Sequence, residues 1–216
     1  MPGLAASPAI FERIQLPEAV FEIHLLEWKI PHSNESLVAY AERMAAEVKQ
    51  INPVLIGVSF GGVLVQEMAA FLTPQKVIII SSVKTQYEIP LPMKIAKNTK
   101  AYKLIPTSLL QHIEQLNKFS FGGVIIQRLK LYEKYLSMRD KSYLKWAIEH
   151  MLLWDRKKAD ADVIHIHGDA DEVFPIKNIR NCICVKGGTH IMILTEYRWL
   201  NDNLPKIILK AQPIAV

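Results

Sequence analysis

Cysteine is almost missing from this chain: 216 residues contain two, Cys182 and Cys184, in the stretch NCICVKGG. Alternate residues of a strand point the same way but cannot easily close so small a disulfide loop. Both thiols are therefore expected to be free, and two ligands without a second pair argue against a metal site. Also missing is a basic stretch leading into an apolar run around MPGLAASPAIFERI, and no run of about eighteen apolar residues occurs anywhere. These absences argue against a secretory signal, a membrane-spanning helix and stable membrane insertion. Together with the free thiols they predict a cytoplasmic protein. The basic residues lack an aromatic-interleaved strand pattern or any recognisable nucleic-acid motif, which argues against a nucleic-acid role.

What is present is ordinary globular material, 50% hydrophobic and 22% charged. The length suits one domain, or one domain with a sizeable insertion. The charge is uneven. Residues 84–158 hold fifteen Lys/Arg against six Asp/Glu, a net +9, which leaves −4 for the rest of a chain whose total is +5. Such an excess could attract an anionic substrate or a membrane surface. Its plainer reading is a set of solvated helix faces.

The periodicity alternates. After loop-like residues 1–13, with a helical turn at AIFERI, the segment Ala19 to Leu26 reads as a strand by its length and bulky apolar residues. Leu37, Tyr40, Ala41, Met44, Ala45 and Val48 recur at helical spacing behind Ser33, Asn34 and Ser36 as candidate caps. Pro53 to Val58 and Lys76 to Ser81 are short apolar runs of buried-strand type, and Phe60 to Leu72 between them reads as a helix that stops near Thr73-Pro74. From Lys84 only helical periodicity continues, in about four pieces broken by Pro90, Pro92, Pro106, Gly122-Gly123 and Asp140. Asp162 to His167 and Asn181 to Val185 restore strands, and Thr195 to Lys210 is a closing helix disturbed by Pro205. The expected order is β-α-β-α-β, a helical insertion, then β-α-β-α. This predicts an α/β, doubly wound, mostly parallel sheet, with residues 1–83 and 159–216 as its core and 84–158 as an inserted helical lid.

Two near-copies of one octapeptide compete for attention, GVSFGGVLVQ at 57–66 and FSFGGVIIQ at 119–127. A serine hydroxyl becomes a nucleophile when a base takes its proton and donors stabilise the oxyanion. A G-x-S-x-G turn between strand and helix exposes such a serine, and positions two before and two after it must be small. Ser59 has Gly57 and Gly61, a strand-like PVLI before it and a helix-like run after it. Ser120 has Lys118 at the first of those positions and a helix-like upstream segment. Ser59 is the nucleophile candidate; Ser120 with Phe121-Gly122-Gly123 is expected to start a lid helix near the pocket.

Downstream, HGDADEVFP follows one late strand and KGGTH the next, in the chain order nucleophile, acid, histidine. With these motifs the sequence resembles the α/β-hydrolase superfamily over nearly its whole length. GVSFGG looks like the nucleophile elbow, Gly168 to Pro175 like the acid loop, which carries the acid onto Asp171, and Gly187-Gly188-Thr189-His190 like the histidine loop. The resemblance implies Ser59 as nucleophile, His190 as general base and Asp171 as the group that orients and stabilises its imidazole. It further implies an oxyanion hole from the backbone N–H of Phe60 and of Leu4, the latter in Pro2-Gly3-Leu4-Ala5-Ala6-Ser7. In that family the loop follows a strand of the central sheet, and here only Met1 precedes Pro2. Either the true start lies upstream, or the domain lacks that strand and holds the loop by a terminus, a segment poorly ordered unless tied down.

The implied activity is hydrolysis of a small or medium carboxylic ester, thioester or lactone through an acyl-enzyme, with no cofactor and no metal. A non-catalytic small-molecule-binding protein of the same fold is the alternative. Asp169 and Glu172 are rivals to Asp171, and the spacing to Pro175 favours Asp171. His165-Ile-His167-Gly-Asp169 begins like a two-metal hydrolase signature, but position 170 is Ala, and a pair of satisfied structural histidines on one strand face is the commoner outcome. Tyr132, Tyr135, Met138, Tyr143, Trp146, Met151 and Trp154 are expected to pack lid against core, some of them facing the site.

Overall fold

The apolar runs read as buried strands form β1 (Val54–Val58), β2 (Lys76–Ile80) and β3 (Val163–Gly168), and β4 (Ile183–Val185) completes a four-stranded parallel sheet ordered β1-β2-β3-β4. The structure is a computed structural model that describes residues 1–104 and 134–210. Ser120, its Phe121-Gly122-Gly123 neighbours and Tyr132 lie outside the described residues. Register places Gly57 beside Ile79, Ile79 beside His165, and His167 beside Cys184. β2 and β3 are neighbours in the sheet although the chain between them carries the whole 84–158 segment.

Side-chain alternation along the strands divides the core into two clusters. Leu55, Val77, Ile79 and Val163 face helices α1 (Leu37–Ala45), α2 (Phe60–Met68) and α4 (Lys141–Leu153). Val58, Ile78, Ile80, Ile166 and Val185 face α5 (Met192–Thr195), α6 (Tyr197–Leu209) and Ile10 of the 3-10 turn Pro8–Phe11. A parallel sheet covered on both faces explains strands that are apolar throughout rather than alternating. Each fully buried Ile, Leu or Phe contributes about 1.5–3 kcal/mol.

The helices start and stop for identifiable reasons. Of the candidate caps before α1, Ser36 is used, its hydroxyl accepting from Ala39 N–H at 3.2 Å. α2 ends in a 3-10 turn, Ala69–Phe71, before Thr73-Pro74. α3 (Leu91–Thr99) begins directly after Pro90, and Asp140 caps α4 by accepting from Ser142 and Tyr143 N–H. Pro205 lies inside α6 without ending it. At the C-terminal end of α6 the ammonium of Lys76, a buried strand lysine, donates to the carbonyls of Ile207, Ile208 and Lys210, which satisfies end-of-helix acceptors and offsets the helix dipole.

Two expected elements are not formed. Ala19 to Leu26 is the end of a turn followed by chain that belongs to no helix or strand, and Val20, Ile23 and Leu25 are exposed. A strand exists through its partner's hydrogen bonds, and here the segment's apolar pattern finds none. Backbone contacts to the free edge of β1 come instead from Met1, whose nitrogen donates to Ile56 O at 2.6 Å and whose carbonyl accepts from Val58 N–H at 3.1 Å. Between β3 and β4 the expected helix is a single 3-10 turn, Ile176–Asn178. The acid loop through Pro175 uses half of that connection and leaves no length for a longer helix.

Candidate active site

The elbow is built where β1 ends and α2 begins. Ser59 has φ 53° and ψ −122°, a conformation that L-residues seldom adopt and that puts its side chain at the tip of the turn. The turn closes only on glycines. A Cβ on Gly57 would stand 2.3 Å from Gly61 O, and one on Gly61 would stand 2.3 Å from Pro2 O. β2 anchors the elbow from the other side, since Ser59 N–H donates to Ile80 O at 2.9 Å and the Ser82 hydroxyl donates to Ser59 O at 2.7 Å.

The three motif residues, separated by up to 131 positions, meet at the C-terminal ends of the strands. Ser59 Oγ lies 3.0 Å from His190 Nε2, and His190 Nδ1 lies 2.9 Å from Asp171 Oδ2. The other carboxylate oxygen of Asp171 accepts from Val173 N–H at 2.8 Å and Phe174 N–H at 2.9 Å. Asp171 is 3% exposed. Burial alone would raise its pKa, but the His190 hydrogen bond and charge and the Phe174 amide outweigh that and hold it below the usual carboxylate value. An ionised Asp171 puts the imidazole proton on Nδ1 and leaves Nε2 as the acceptor facing the Ser59 hydroxyl. Of the rival acids, Glu172 is exposed, and Asp169, also exposed, accepts instead from Gly187 N–H at 2.6 Å.

The loop expected to supply the second oxyanion donor is tied down on several sides. Gly3 O accepts from the Trp28 indole at 2.8 Å, and the same indole stacks on Phe60 at 5.3 Å. Ala5, at φ 62°, donates its N–H to the Tyr143 hydroxyl at 3.2 Å. Ala5 O accepts from Ser137 and Met138 N–H, Ser7 N–H donates to Tyr135 O, and Ala6 bridges Leu136 in antiparallel fashion. Ala6 N–H is taken by Gly3 O at 3.0 Å. None of the hydrogen bonds that tie down this loop or the elbow uses the Leu4 or Phe60 amide.

Sequence reading did not single out Trp28 or Ser82, and it placed Tyr143 only among packing aromatics. No local signal marks any of them, because these hydrogen-bond partners are 23 or more positions away. Tyr143 and Trp146 join Trp28, Tyr40 and Phe60 in one aromatic cluster, with the Trp146 indole donating to Glu35 O at 2.7 Å. His165 and His167 lie side by side on one face of β3, and no group of three potential metal-binding side chains occurs among the described residues. No described helix is long and apolar enough to cross a membrane.

No protein-family model matches the chain, and no curated protein matches it in sequence. Solved structures do. A hydrolase from Pseudomonas aeruginosa superposes with a TM-score of 0.69 at 13% identity, covering 97% of this chain and 88% of that one. An esterase from Exiguobacterium antarcticum gives 0.64 at 16% identity over 97% and 92%. A lipase-esterase related protein from Clostridium acetobutylicum gives 0.62 at 16% identity over 95% and 91%. The chain has the α/β-hydrolase fold.

Proposed function

We propose that this chain is a serine hydrolase acting on a small or medium carboxylic ester, or on a thioester or lactone, without a cofactor. The reading rests on one observation above all: the continuous hydrogen-bonded path from Ser59 Oγ through the His190 imidazole to a buried, doubly amide-bound Asp171 carboxylate. In the first half-reaction His190 Nε2 takes the Ser59 proton while Oγ attacks the acyl carbonyl. The oxyanion is held by the Phe60 and Leu4 N–H groups, and the proton passes to the leaving alcohol or thiol. In the second, water loses a proton to His190 and adds to the acyl-enzyme, and Ser59 leaves with that proton as the acid is released.

The aromatic side chains of α4 and the basic excess of the sequence from 84 to 158 support acyl substrates, anionic ones included. Cys182 and Cys184 are both free, which supports a reducing, cytoplasmic setting. The alternative of a non-catalytic binding protein needs an unsupported oxyanion loop. The bonds from Trp28, Tyr143 and Leu136 to that loop speak against it.

A fluorophosphonate probe tests the proposal. Wild-type protein should be labelled, Ser59→Ala should not, and Ser120→Ala should be labelled like wild type. Folded wild-type protein that takes no label and hydrolyses no short-chain p-nitrophenyl ester would sink it.

A further inference from the structure

The proposed reaction leaves two buried imidazoles without a part. His165 is 1% exposed and His167 is fully buried, both on the face of β3 that leads into the acid loop. His165 Nε2 lies 3.1 Å from His167 Nδ1, and His167 Nε2 lies 2.8 Å from Phe174 O. A carbonyl oxygen only accepts, so His167 carries its proton on Nε2. In a neutral ring its Nδ1 is then an acceptor, so His165 must donate from its own Nε2. The Phe174 carbonyl thus sets the His167 tautomer and, through His167 Nδ1, that of His165, whose own Nδ1 is buried with no hydrogen-bond partner among the described residues.

That carbonyl belongs to the residue that handles both partners of Ser59. Phe174 N–H donates to Asp171 Oδ1, and the Phe174 ring stands edge-on to the His190 imidazole at 5.4 Å between centroids. His167 Nε2 is also 3.6 Å from Asp171 Oδ2, close enough to feel any displacement of the carboxylate.

We infer that His167 is a positioning residue for the Asp171–His190 pair, holding the 171–174 turn through the Phe174 carbonyl, and that His165 holds His167 in the donating tautomer. This rests on the serine-hydrolase reading for its catalytic consequence but not for its geometry. Neutrality of the two rings is supported by their surroundings. His165 faces His167 and Lys84; His167 faces Asp171, His190 and Glu88. Burial dominates at both and lowers their pKa values, so neither ring is charged at neutral pH. A second cation beside His190 would compete for Asp171. A neutral N–H donor stiffens the turn without doing so.

Two variants and one spectrum test the inference. His167→Leu removes the donor to Phe174 O and should lower kcat about 10- to 100-fold with little change in KM, as for a misplaced catalytic group. It should also move the acidic limb of the kcat/KM profile to lower pH, because a displaced carboxylate stabilises the imidazolium less. His167→Gln keeps an N–H donor and should recover most of the rate and the original limb. Long-range nitrogen–proton correlation spectra of the wild type at pH 7 should show both His165 and His167 protonated on Nε2. The low-field His190 Nδ1–H resonance should persist in His167→Gln and vanish in His167→Leu. A His167→Leu variant with wild-type rate and profile overturns the inference. So does a His167→Gln variant as impaired as His167→Leu, or an Nδ1–H tautomer at either ring. The spectra read the wild type even if His167→Leu fails to fold. A wild type inert to esters and probe would refute the hydrolase reading while leaving the tautomer result standing.

Discussion

In the proposed reaction, Asp171 shows why a single atom can decide the rate. Its Oδ1 is committed to the amides of Val173 and Phe174. In Asp171→Asn the side-chain carbonyl must keep those two bonds, so the NH2 group turns toward His190 Nδ1 and forces the opposite tautomer, whose Nε2–H cannot accept the Ser59 proton. Hydrolysis of a p-nitrophenyl ester should fall about 10⁴-fold in kcat with the fold intact. The neighbouring imidazoles predict a separate pH effect on stability. In the unfolded chain a histidine protonates near its usual value of 6.5, whereas buried His165 resists protonation until well below that. Through this window the unfolded state binds more protons, so stability falls as the pH drops. Asp171, whose folded pKa lies below 3.8, contributes stability at all these pH values and loses it only in stronger acid. Melting temperatures should therefore decline from pH 7 to pH 5, and His165→Gln should flatten that decline.

At the scale of elements, α4 and residues 135–138, which carry one isolated bridge at Leu136, do more than pack against the core. They supply a hydroxyl, two amides and a bridge to the loop that carries Leu4. Tyr143→Phe removes the hydroxyl that accepts from Ala5 N–H and so loosens the loop beside the Leu4 amide. About a tenfold loss in kcat is expected, since a fully lost oxyanion donor costs about 10²–10³-fold. Inhibition by an aryl trifluoromethyl ketone, which presents an oxyanion when bound, should weaken in parallel while KM stays near wild type. Equal potency against both proteins would refute this role. The elements themselves were legible to different degrees. β1, β2, β3, α1 and α2 follow directly from period and punctuation. Ala19 to Leu26 has the composition of a strand, but a strand also requires a neighbour, and no property of those eight residues reports whether one exists. The short 176–178 turn was misread for a similar reason: the acid loop had already consumed the chain available for a helix.

For the molecule as a whole, the segment that follows α4 is tied back to α2 before the chain enters β3. Glu67 on α2 accepts from the Trp154 indole at 2.9 Å and from Arg156 Nη2 at 2.8 Å, with the Arg156 and Glu67 side chains only 24% and 17% exposed. Glu67→Ala strands the Trp154 indole N–H and leaves Arg156 Nη2 its bond to Gln66 O at 3.2 Å, in a largely buried setting, and should cost about 1–3 kcal/mol. For a chain of this size that is a fall of about 2–12 °C in melting temperature by calorimetry. Sequence alone determined the nucleophile, acid and histidine candidates and the α/β layering, because an elbow, an acid loop and a strand period are written in short-range spacing of glycine, proline and apolar residues. Tertiary structure decided what anchors the Leu4 loop and what His165 and His167 are bonded to. Those are hydrogen bonds between atoms brought together by the sheet order and the insertion, and their partners leave no trace in local spacing.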